Sequence, residues 1–348
     1  MTETLMIRLR TKQRAAVIAV LLLFTIAIII WLNNELSKPY YSRPYVDPEL
    51  WKYLGPPDET TRKAIVTPKI PQIEVKIKPS VSIQQDWPIA KVEEQFFRYL
   101  ENKDVRCLKD TRLGNWNEGG WNVCLSPPFL FKRPCIVFSF GIGYDWQFDD
   151  SVANNFHCHV LAFDPSMNET YVKRSALIDF RKTGLGARNG ISPEGWQMKT
   201  LARHLKDEGF WGVPVDYVKM DIEFSEWEVL RQAVRDNSLK YVKQLAFEIH
   251  TPEMYRIFKL KKNPPPPRTQ QNDKSDFLRM FDTLKALEEL GFKKFNYRLN
   301  PFGEYTSVYS RKVRSCCYDL HFINVNFLSK NSTKYVTESP RYVGARSL

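Results

Sequence analysis

The sequence lacks the signatures of the common nucleic-acid-binding modules: its 348 residues contain no helix-turn-helix, zinc-finger or RNP motif. A net charge of +12 would suit nucleic acid only if the basic residues were gathered on one face or arm, whereas Lys and Arg here are scattered among acids. None of the six cysteines has the spacing of a zinc site. We therefore predict no nucleic-acid partner and no bound metal, and we interpret the basicity as a solvated surface suited to an anionic substrate or an anionic membrane.

One long apolar run stands near the N-terminus. Residues 15–32 form an uncharged stretch of 18 residues, which is enough to span a bilayer as a helix. Four basic residues precede it, so the positive-inside rule puts residues 1–14 in the cytoplasm and the rest of the chain on the lumenal or outer side. A cleaved signal peptide is the alternative, but the run exceeds the usual core of about 7 to 15 residues and no small-residue cleavage site precedes Asn33. We predict a signal anchor and a single-pass type II membrane protein of the Golgi or endoplasmic reticulum.

Composition divides the rest of the chain into three parts. Residues 33–87 are rich in proline and show little helical periodicity, which predicts an extended stem. Residues 88–330 alternate strand and helix patterns and form the predicted folded domain, and residues 331–348 form a C-terminal tail. Glycosylation acceptors at Asn168 and Asn331 agree weakly with a lumenal domain. An oxidising compartment would pair the cysteines, and proximity in sequence favours Cys107 with Cys124 and Cys135 with Cys158.

The segment 134–166 organises the predicted domain. It consists of an apolar strand, a turn with Gly141 and Gly143, a short helix, and a second strand that ends at Asp164. In a right-handed βαβ unit the turn after the first strand faces the crevice where open α/β sheets bind nucleotides. Glycines let the backbone approach a ligand, and an acid about 20 residues further on is placed to hold ribose hydroxyls. The segment predicts a nucleotide-like cofactor at the turn.

Two later strands end in ionisable residues. The apolar run from 215 stops at Asp221 and Glu223, and the run from 241 stops at Glu248 and His250. Each pair is separated by one residue, so its two side chains would face the same way on a continuing strand. Adjacent strands of this kind would bring four functional side chains to one rim of the sheet.

The remaining patterns complete an α/β domain. They predict helices at 88–102, 196–210 and 277–292, a third strand at 175–180 and a final antiparallel pair of strands at 292–300 and 319–328. Residues 114–125 indicate a hairpin whose Trp116 and Trp121 could line a sugar-binding pocket, although core packing is favoured for both.

Four of these motifs, SFGIGYDWQFDD, AFDPS, VKMDIEFSEWEVL and LAFEIH, occur in an order that resembles the S-adenosylmethionine-dependent methyltransferases related to the FkbM type. Within that family the sequence is similar to the animal group known as methyltransferase-like protein 24, whose members have a membrane or secretory N-terminus. The resemblance covers residues 107–328. It implies a Rossmann-like sheet of seven strands with a reversed last strand and helices on both faces, which is the fold class predicted here.

The resemblance also implies a cofactor site for S-adenosylmethionine. Gly141 and Gly143 would approach the methionine part of the cofactor, Asp164 would hold the ribose hydroxyls, and the segment from Asp179 to Gly184 would lie near the adenine. Asp145 stands where the family has its third glycine and is counted among the cofactor-binding residues.

The four residues that end the later strands would line the methyl-transfer site: Asp221, Glu223, Glu248 and His250. Methyl transfer from a sulfonium is an in-line displacement, so an enzyme aligns the acceptor and removes its proton if it is a hydroxyl. His250 or Glu223 could be that base. Alternatively the four side chains could hold a divalent cation, or Asp221 and Glu248 could only cap helices and anchor loops. The expected acceptor is a hydroxyl of a glycan or another small molecule.

Two other functions stay open. An anchored lumenal α/β domain also describes a type II membrane glycosyltransferase, in which Asp149 with Asp150, or Asp221 with Glu223, would hold a metal and a sugar diphosphate. A catalytically silent binding protein is the other alternative, because in the first motif Ser139 replaces the usual acid and Asp145 replaces the usual third glycine. In the later motif, Phe224 stands where many relatives have glycine. The oligomeric state cannot be predicted.

Overall fold

The structure is a computed structural model that describes residues 73–77, 81–168, 171–254, 270–300, 303–328 and 333–337. No helix within these ranges has the length and apolarity needed to cross a bilayer. The predicted cytoplasmic tail (1–14), signal anchor (15–32) and most of the stem lie outside the described residues, as does the glycosylation acceptor Asn331.

The described elements follow the predicted alternation of strands and helices. The strands are β1 (Ile73–Ile77), β2 (Val105–Arg106), β3 (Asp110–Leu113), β4 (Trp121–Cys124), β5 (Ile136–Phe140), β6 (His159–Phe163), β7 (Tyr171–Ser175), β8 (Ile178–Arg181), β9 (Gly184–Leu185), β10 (Gly190–Ile191), β11 (Gln197–Lys199), β12 (Tyr217–Met220), β13 (Gln244–His250), β14 (Phe292–Leu299), β15 (Glu304–Thr306), β16 (Val313–Ser315), β17 (Cys317–Asn324) and β18 (Thr333–Thr337). The α-helices are α1 (Ile89–Leu100), α2 (Gln147–Phe156), α3 (Leu201–Asp207), α4 (Glu226–Arg235) and α5 (Gln270–Glu289).

The central sheet has eight strands in the order β14-β17-β13-β12-β5-β6-β8-β7. Strands β13, β12, β5, β6 and β8 are parallel neighbours, whereas β17 runs antiparallel to both β13 and β14. The predicted final antiparallel pair and reversed last strand are therefore confirmed. The predicted third strand (175–180) corresponds to β8. The predicted count of seven was wrong, because the residues just before it form β7, an antiparallel edge strand that is the eighth.

Alternation along the strands separates two apolar faces. On one face, Phe138 and Phe140 of β5 pack with residues of α1, α3, α4 and α5. On the other face, Val137 packs with α2 and with the β3–β4 hairpin. Burial of each phenylalanine of β5 contributes on the order of 2 kcal/mol, so the strand is held from both sides. Helices lie on both faces of the sheet, as predicted.

Disulfides join the predicted cysteine pairs. Cys107 bonds to Cys124 and Cys135 bonds to Cys158, so both pairings are confirmed, and the adjacent Cys316 and Cys317 form a third bond. The second disulfide links the residue before β5 to the residue before β6, and so joins the two strands that lead to the glycine turn and to Asp164.

A small three-stranded sheet uses segments from both sides of the predicted domain. Strand β1 comes from the predicted stem and pairs in parallel with β18 from the predicted tail and antiparallel with β2. Ile73 is fully buried beside Val105 and Cys107. Nothing in the proline-rich composition of the stem had indicated this strand.

Candidate functional site

The glycine turn lies at the carboxyl ends of β5 and β6, beside the loop that follows β12. Gly141 has φ +76°, and a Cβ added there would lie 1.6 Å from the carbonyl oxygen of Asp221. Gly143 has φ +55°, and a Cβ there would meet no atom within 4 Å. The turn thus needs Gly141 for packing inside the protein, whereas Gly143 leaves space for a ligand against the backbone.

Asp164 holds the glycine turn in place. Its Oδ2 accepts hydrogen bonds from the backbone N–H groups of Ile142 and Gly143, both at 2.8 Å. Its Oδ1 accepts from the backbone N–H of Ser166 at 2.8 Å and from its hydroxyl at 2.6 Å. A carboxylate has about four acceptor positions, so all of them are engaged within the protein. The structure therefore shows Asp164 as a positioning residue for the turn, and its role as a ribose ligand stays a prediction.

Two other predicted cofactor residues have partners within the protein. The Oδ1 atom of Asp145 accepts a hydrogen bond from the backbone N–H of Gln147 at 3.0 Å, and its Oδ2 lies so close to Gly119 that a Cβ there would be 1.9 Å away. Asp179 is the second residue of β8 and its carboxylate lies 2.9 Å from Nε2 of His159. Asp145 therefore stays beside the turn and contacts the β3–β4 hairpin, whereas Asp179 lies two residues before the end of its strand.

Buried polar side chains lie next to the glycine turn. Ser139, which replaces the usual acid of the motif, is fully buried, as is Asp149 of α2. Burial raises the pKa of Asp149 to about 6, against the opposing charge of Lys219 and the adjacent Ser139 hydroxyl. The ammonium of Lys219 donates to the carbonyl oxygen of Gly141. The turn is therefore bordered by a buried acid of α2 and by the buried ammonium of Lys219.

The carboxylates of Asp221, Glu223 and Glu248 meet at the same rim of the sheet. One oxygen from each lies within 4.8 Å of those of the other two. Strand β12 ends at Met220, so Asp221 and Glu223 converge because of a tight turn, and not because a strand continues through them. Glu223 and Phe224 have φ of +46° and +65°, which is the left-handed region that favours glycine. This conformation explains the glycine that many relatives have at the position of Phe224.

His250 connects this group to the interior. Its Nε2 lies 3.7 Å from Oε2 of Glu223 and 3.9 Å from Oε2 of Glu248, while its Nδ1 lies 3.6 Å from Oε2 of the fully buried Glu226. The ring of Phe224 stacks on the imidazole, with ring centroids 3.8 Å apart. The imidazole is therefore fixed between a buried carboxylate and the exposed rim, and the strained conformation of Phe224 accompanies this contact.

Mutual repulsion and burial perturb the acids of the rim. Burial raises the pKa of Glu248 to about 9, and the charge of Asp221 adds to this effect. Burial and Asp221 also raise the pKa of Glu223. Burial raises the pKa of Asp319 to about 7, again with a contribution from Asp221. Proximity and burial thus disfavour full ionisation of these neighbouring acids when no cation is bound.

Sequence reasoning missed three residues of this group. Glu226 is the first residue of α4, Asp319 pairs with Glu248 across β13 and β17, and Nδ2 of Asn300 lies 3.4 Å from Oε1 of Glu248. The DLHFIN strand pattern places Asp319 on a strand, but only the register puts it opposite Glu248.

The β3–β4 hairpin borders the rim. Glu118, in its connecting loop, acts electrostatically on both Glu223 and Asp319. Trp121 is buried, as predicted, against Lys219 and His321, but Trp116 is 75% exposed, so the prediction of core packing was wrong for Trp116. A cleft of about 400 Å³ lies next to the turn, lined by Gly143 and Asp145 among others. A larger groove of about 580 Å³ between α4 and α5 contains none of the predicted site residues.

A family model described as "Methyltransferase domain" matches residues 72–310 of the sequence. The chain belongs to this methyltransferase family. The matched region contains the glycine turn, Asp164 and the whole rim from Asp221 to His250.

Two curated relatives are similar to this methyltransferase domain. "Probable methyltransferase-like protein 24" of Homo sapiens is 26% identical over 251 residues, which is 67% of this chain and 64% of the relative. The protein of the same name from Rattus norvegicus is 27% identical over 187 residues, which is 48% of this chain and 51% of the relative. The chain thus spans about half to two-thirds of the length of these relatives, and the identified family agrees with the resemblance seen in the sequence.

Solved structures show a more distant likeness. The Methanococcus jannaschii fibrillarin pre-rRNA processing protein is 12% identical, with a TM-score of 0.30, and the comparison covers 63% of this chain and 84% of that chain. A likeness at this level supports no conclusion about substrate.

Proposed function

We propose that the protein is an S-adenosylmethionine-dependent methyltransferase that acts in the lumen of the secretory pathway on a hydroxyl of a glycan or another small acceptor. The proposal rests on one observation. The chain belongs to a methyltransferase family, and its glycine turn lies at the same rim of the sheet as His250 and the acids around it. Parallel strands bring their carboxyl ends to the same edge, which is where open α/β sheets bind ligands.

The turn fits a cationic cofactor of this kind. The position next to Gly143 is open, a cleft adjoins it, and the carboxylates of the rim suit a positive sulfonium. When bound, S-adenosylmethionine supplies a methyl group on a positively charged sulfur. Gly143 and Asp145 would hold it against the turn, and Asp164 would keep the turn in its bound shape.

His250 is placed to take the proton of the acceptor. Its Nδ1 faces Glu226, and its Nε2 faces the rim between Glu223 and Glu248. A buried carboxylate behind a histidine orients the ring and stabilises its protonated form, as in other acid–base pairs. Proton removal would make the acceptor hydroxyl a better nucleophile for in-line transfer.

Of the two acid pairs that could hold a metal in a glycosyltransferase, the structure excludes the pair Asp149 and Asp150. Asp149 is fully buried in α2, while the carboxylate of the adjacent Asp150 accepts two hydrogen bonds from Arg174, at 2.8 and 2.7 Å. These side chains point to different partners and do not form a metal pair. The Asp221 and Glu223 pair remains available to either function.

Equilibrium binding separates the candidate functions. We expect the purified full-length chain to bind S-adenosylhomocysteine in isothermal titration calorimetry and to bind neither UDP nor GDP. Binding of a nucleotide diphosphate without S-adenosylhomocysteine would instead support the glycosyltransferase. If no ligand of either kind binds, the protein is a silent member of the family.

The Asp164→Asn variant serves as the specificity control for this titration. An asparagine carries no charge and has one acceptor oxygen where the aspartate has two, so some of the hydrogen bonds that hold the turn are lost. The affinity for S-adenosylhomocysteine is therefore expected to fall by tenfold or more. The matched variant Asp282→Asn, on the exposed surface of α5, should bind as the wild type does.

The lumenal location is supported by the three disulfides within the domain, because disulfides persist in oxidising compartments. In microsomes from animal cells, we expect protease to spare a C-terminal tag until detergent is added, and a glycosidase to shift the mass of the wild type more than that of Asn168→Gln. Asn168 is exposed, so the substitution should leave the fold intact. Digestion of the tag in sealed microsomes would contradict the lumenal location.

A further inference from the structure

Three carboxylates at the rim are arranged as the ligands of one cation would be. Asp221, Glu223 and Glu248 each offer an oxygen, and the three oxygens lie within 4.8 Å of one another. Opposite ligands of a cation bound at about 2.1 to 2.5 Å stand about 4 to 5 Å apart. Glu248 reaches this position from β13, whereas Asp221 and Glu223 reach it from the turn that follows the neighbouring strand β12.

The protein supplies little positive charge to this group. Within the part of the chain that the structure describes, no Lys or Arg nitrogen lies within 4 Å of these three carboxylates. Lys219, two residues before Asp221, is turned away and donates to the carbonyl oxygen of Gly141. Like charges held this close require a cation from outside or the loss of their own charge.

A buried histidine aimed into the group is the second, independent observation. His250 is only 5% exposed, and its Nδ1 has no hydrogen-bond partner among the described residues. Its Nε2 faces Glu223 and Glu248 at 3.7 and 3.9 Å, which is too long for hydrogen bonds.

Behind the ring, both carboxylate oxygens of the fully buried Glu226 are likewise without a hydrogen-bond partner in the described ranges. A carboxylate behind a histidine that faces a cluster of oxygens is the outer shell that commonly surrounds a bound metal ion.

We propose that Asp221, Glu223 and Glu248 bind one divalent cation of the oxygen-preferring class, Mg²⁺, Mn²⁺ or Ca²⁺, with His250 standing beside it. Carboxylate oxygens are the preferred ligands of these ions. Glu226 keeps the imidazole turned toward the cation. Binding of the ion does not depend on methyl transfer, but within the function proposed above the ion would hold the acceptor hydroxyl next to His250.

The test uses the full-length chain, stripped with EDTA and titrated with MnCl₂ by calorimetry and by the loss of the free Mn²⁺ signal in electron paramagnetic resonance. We expect one site per chain. Glu223→Gln should weaken Mn²⁺ binding by tenfold or more, and because the Glu223 side chain is 74% exposed, this variant should fold normally. The control Glu289→Gln alters an exposed carboxylate of α5 outside the group and should bind Mn²⁺ as the wild type does.

Binding of S-adenosylhomocysteine, measured on the same EDTA-treated samples, distinguishes the two proposals. Mn²⁺ binding without S-adenosylhomocysteine binding would support the cation site and contradict the cofactor assignment. S-adenosylhomocysteine binding without Mn²⁺ binding would support the cofactor assignment and contradict the cation site. If the wild type binds no Mn²⁺, or if Glu223→Gln and Asp221→Asn both bind it as tightly as Glu289→Gln, the cation site is wrong.

Discussion

Replacing Gly141 by alanine is expected to destabilise the domain by about 3 to 5 kcal/mol. The added Cβ would lie 1.6 Å from the carbonyl oxygen of Asp221, and the backbone at φ +76° disfavours any side chain. Neither backbone can move away freely, because the N–H of Gly141 donates to the carbonyl of Phe163 and the N–H of Asp221 donates to that of Phe140. The alanine side chain would therefore displace the backbone of both the glycine turn and the acidic rim.

Urea denaturation of the two alanine variants tests this. Gly143→Ala is the matched control, because its φ of +55° is also left-handed but nothing lies within 4 Å of its Cβ. It should lose only about 1 to 2 kcal/mol, which is the cost of the backbone conformation alone. Equal losses at the two positions would show that the contact with Asp221 does not constrain the turn.

Replacing Glu248 by glutamine is expected to stabilise the cation-free protein at neutral pH. Folding raises the pKa of Glu248 from an ordinary 4.5 to about 9. At pH 7 the folded state holds a proton that the unfolded state has released, so wild-type stability is full below pH 4.5 and falls as the pH rises toward 9. Over the 2.5 pH units between 4.5 and 7, the free energy of unfolding of the wild type falls by about 3 kcal/mol for this reason. The Glu248→Gln variant has no such group to titrate and keeps that stability.

The measurement is urea denaturation in EDTA at pH 4.5 and pH 7.5. Glu248→Gln should match the wild type at the lower pH and exceed it at the higher pH, whereas Glu289→Gln, on the exposed surface, should match it at both. An advantage of Glu248→Gln that is the same at both pH values would show that ionisation of Glu248 is not the cause.

The fold was largely predictable because its patterns are local. Apolar runs that end in Asp164, Asp221 and His250 predict parallel strands, and the amphipathic pattern around Phe277 predicts a long helix. The failures occurred where long-range pairing decided the outcome. The segment near Ser175 became a hairpin at the sheet edge, and Ile73 entered a strand because β18, about 260 residues later, pairs with it.

The candidate site was predictable in its members but not in their arrangement. The sequence placed four ionisable residues at two strand ends, and the structure brings them together. It does so for Asp221 and Glu223 through a left-handed turn at Phe224, which sequence alternation cannot anticipate. Conversely, Asp164 has the expected position after its strand, yet all its acceptor positions are used by the protein itself.

The sequence by itself determined the order of the motifs, the membership of the family and the residue types at the rim. The motif order and residue types are local features of the chain that do not depend on what it contacts elsewhere, and the family rests on the resemblance of those motifs and on the matching family model. Only the tertiary structure decided that Glu226 lies behind His250, that Asp319 pairs with Glu248, and that Asp149 is buried beside Ser139 and Lys219. Such contacts depend on strand order, register and burial, since these set the distances between side chains and the energy of each charge.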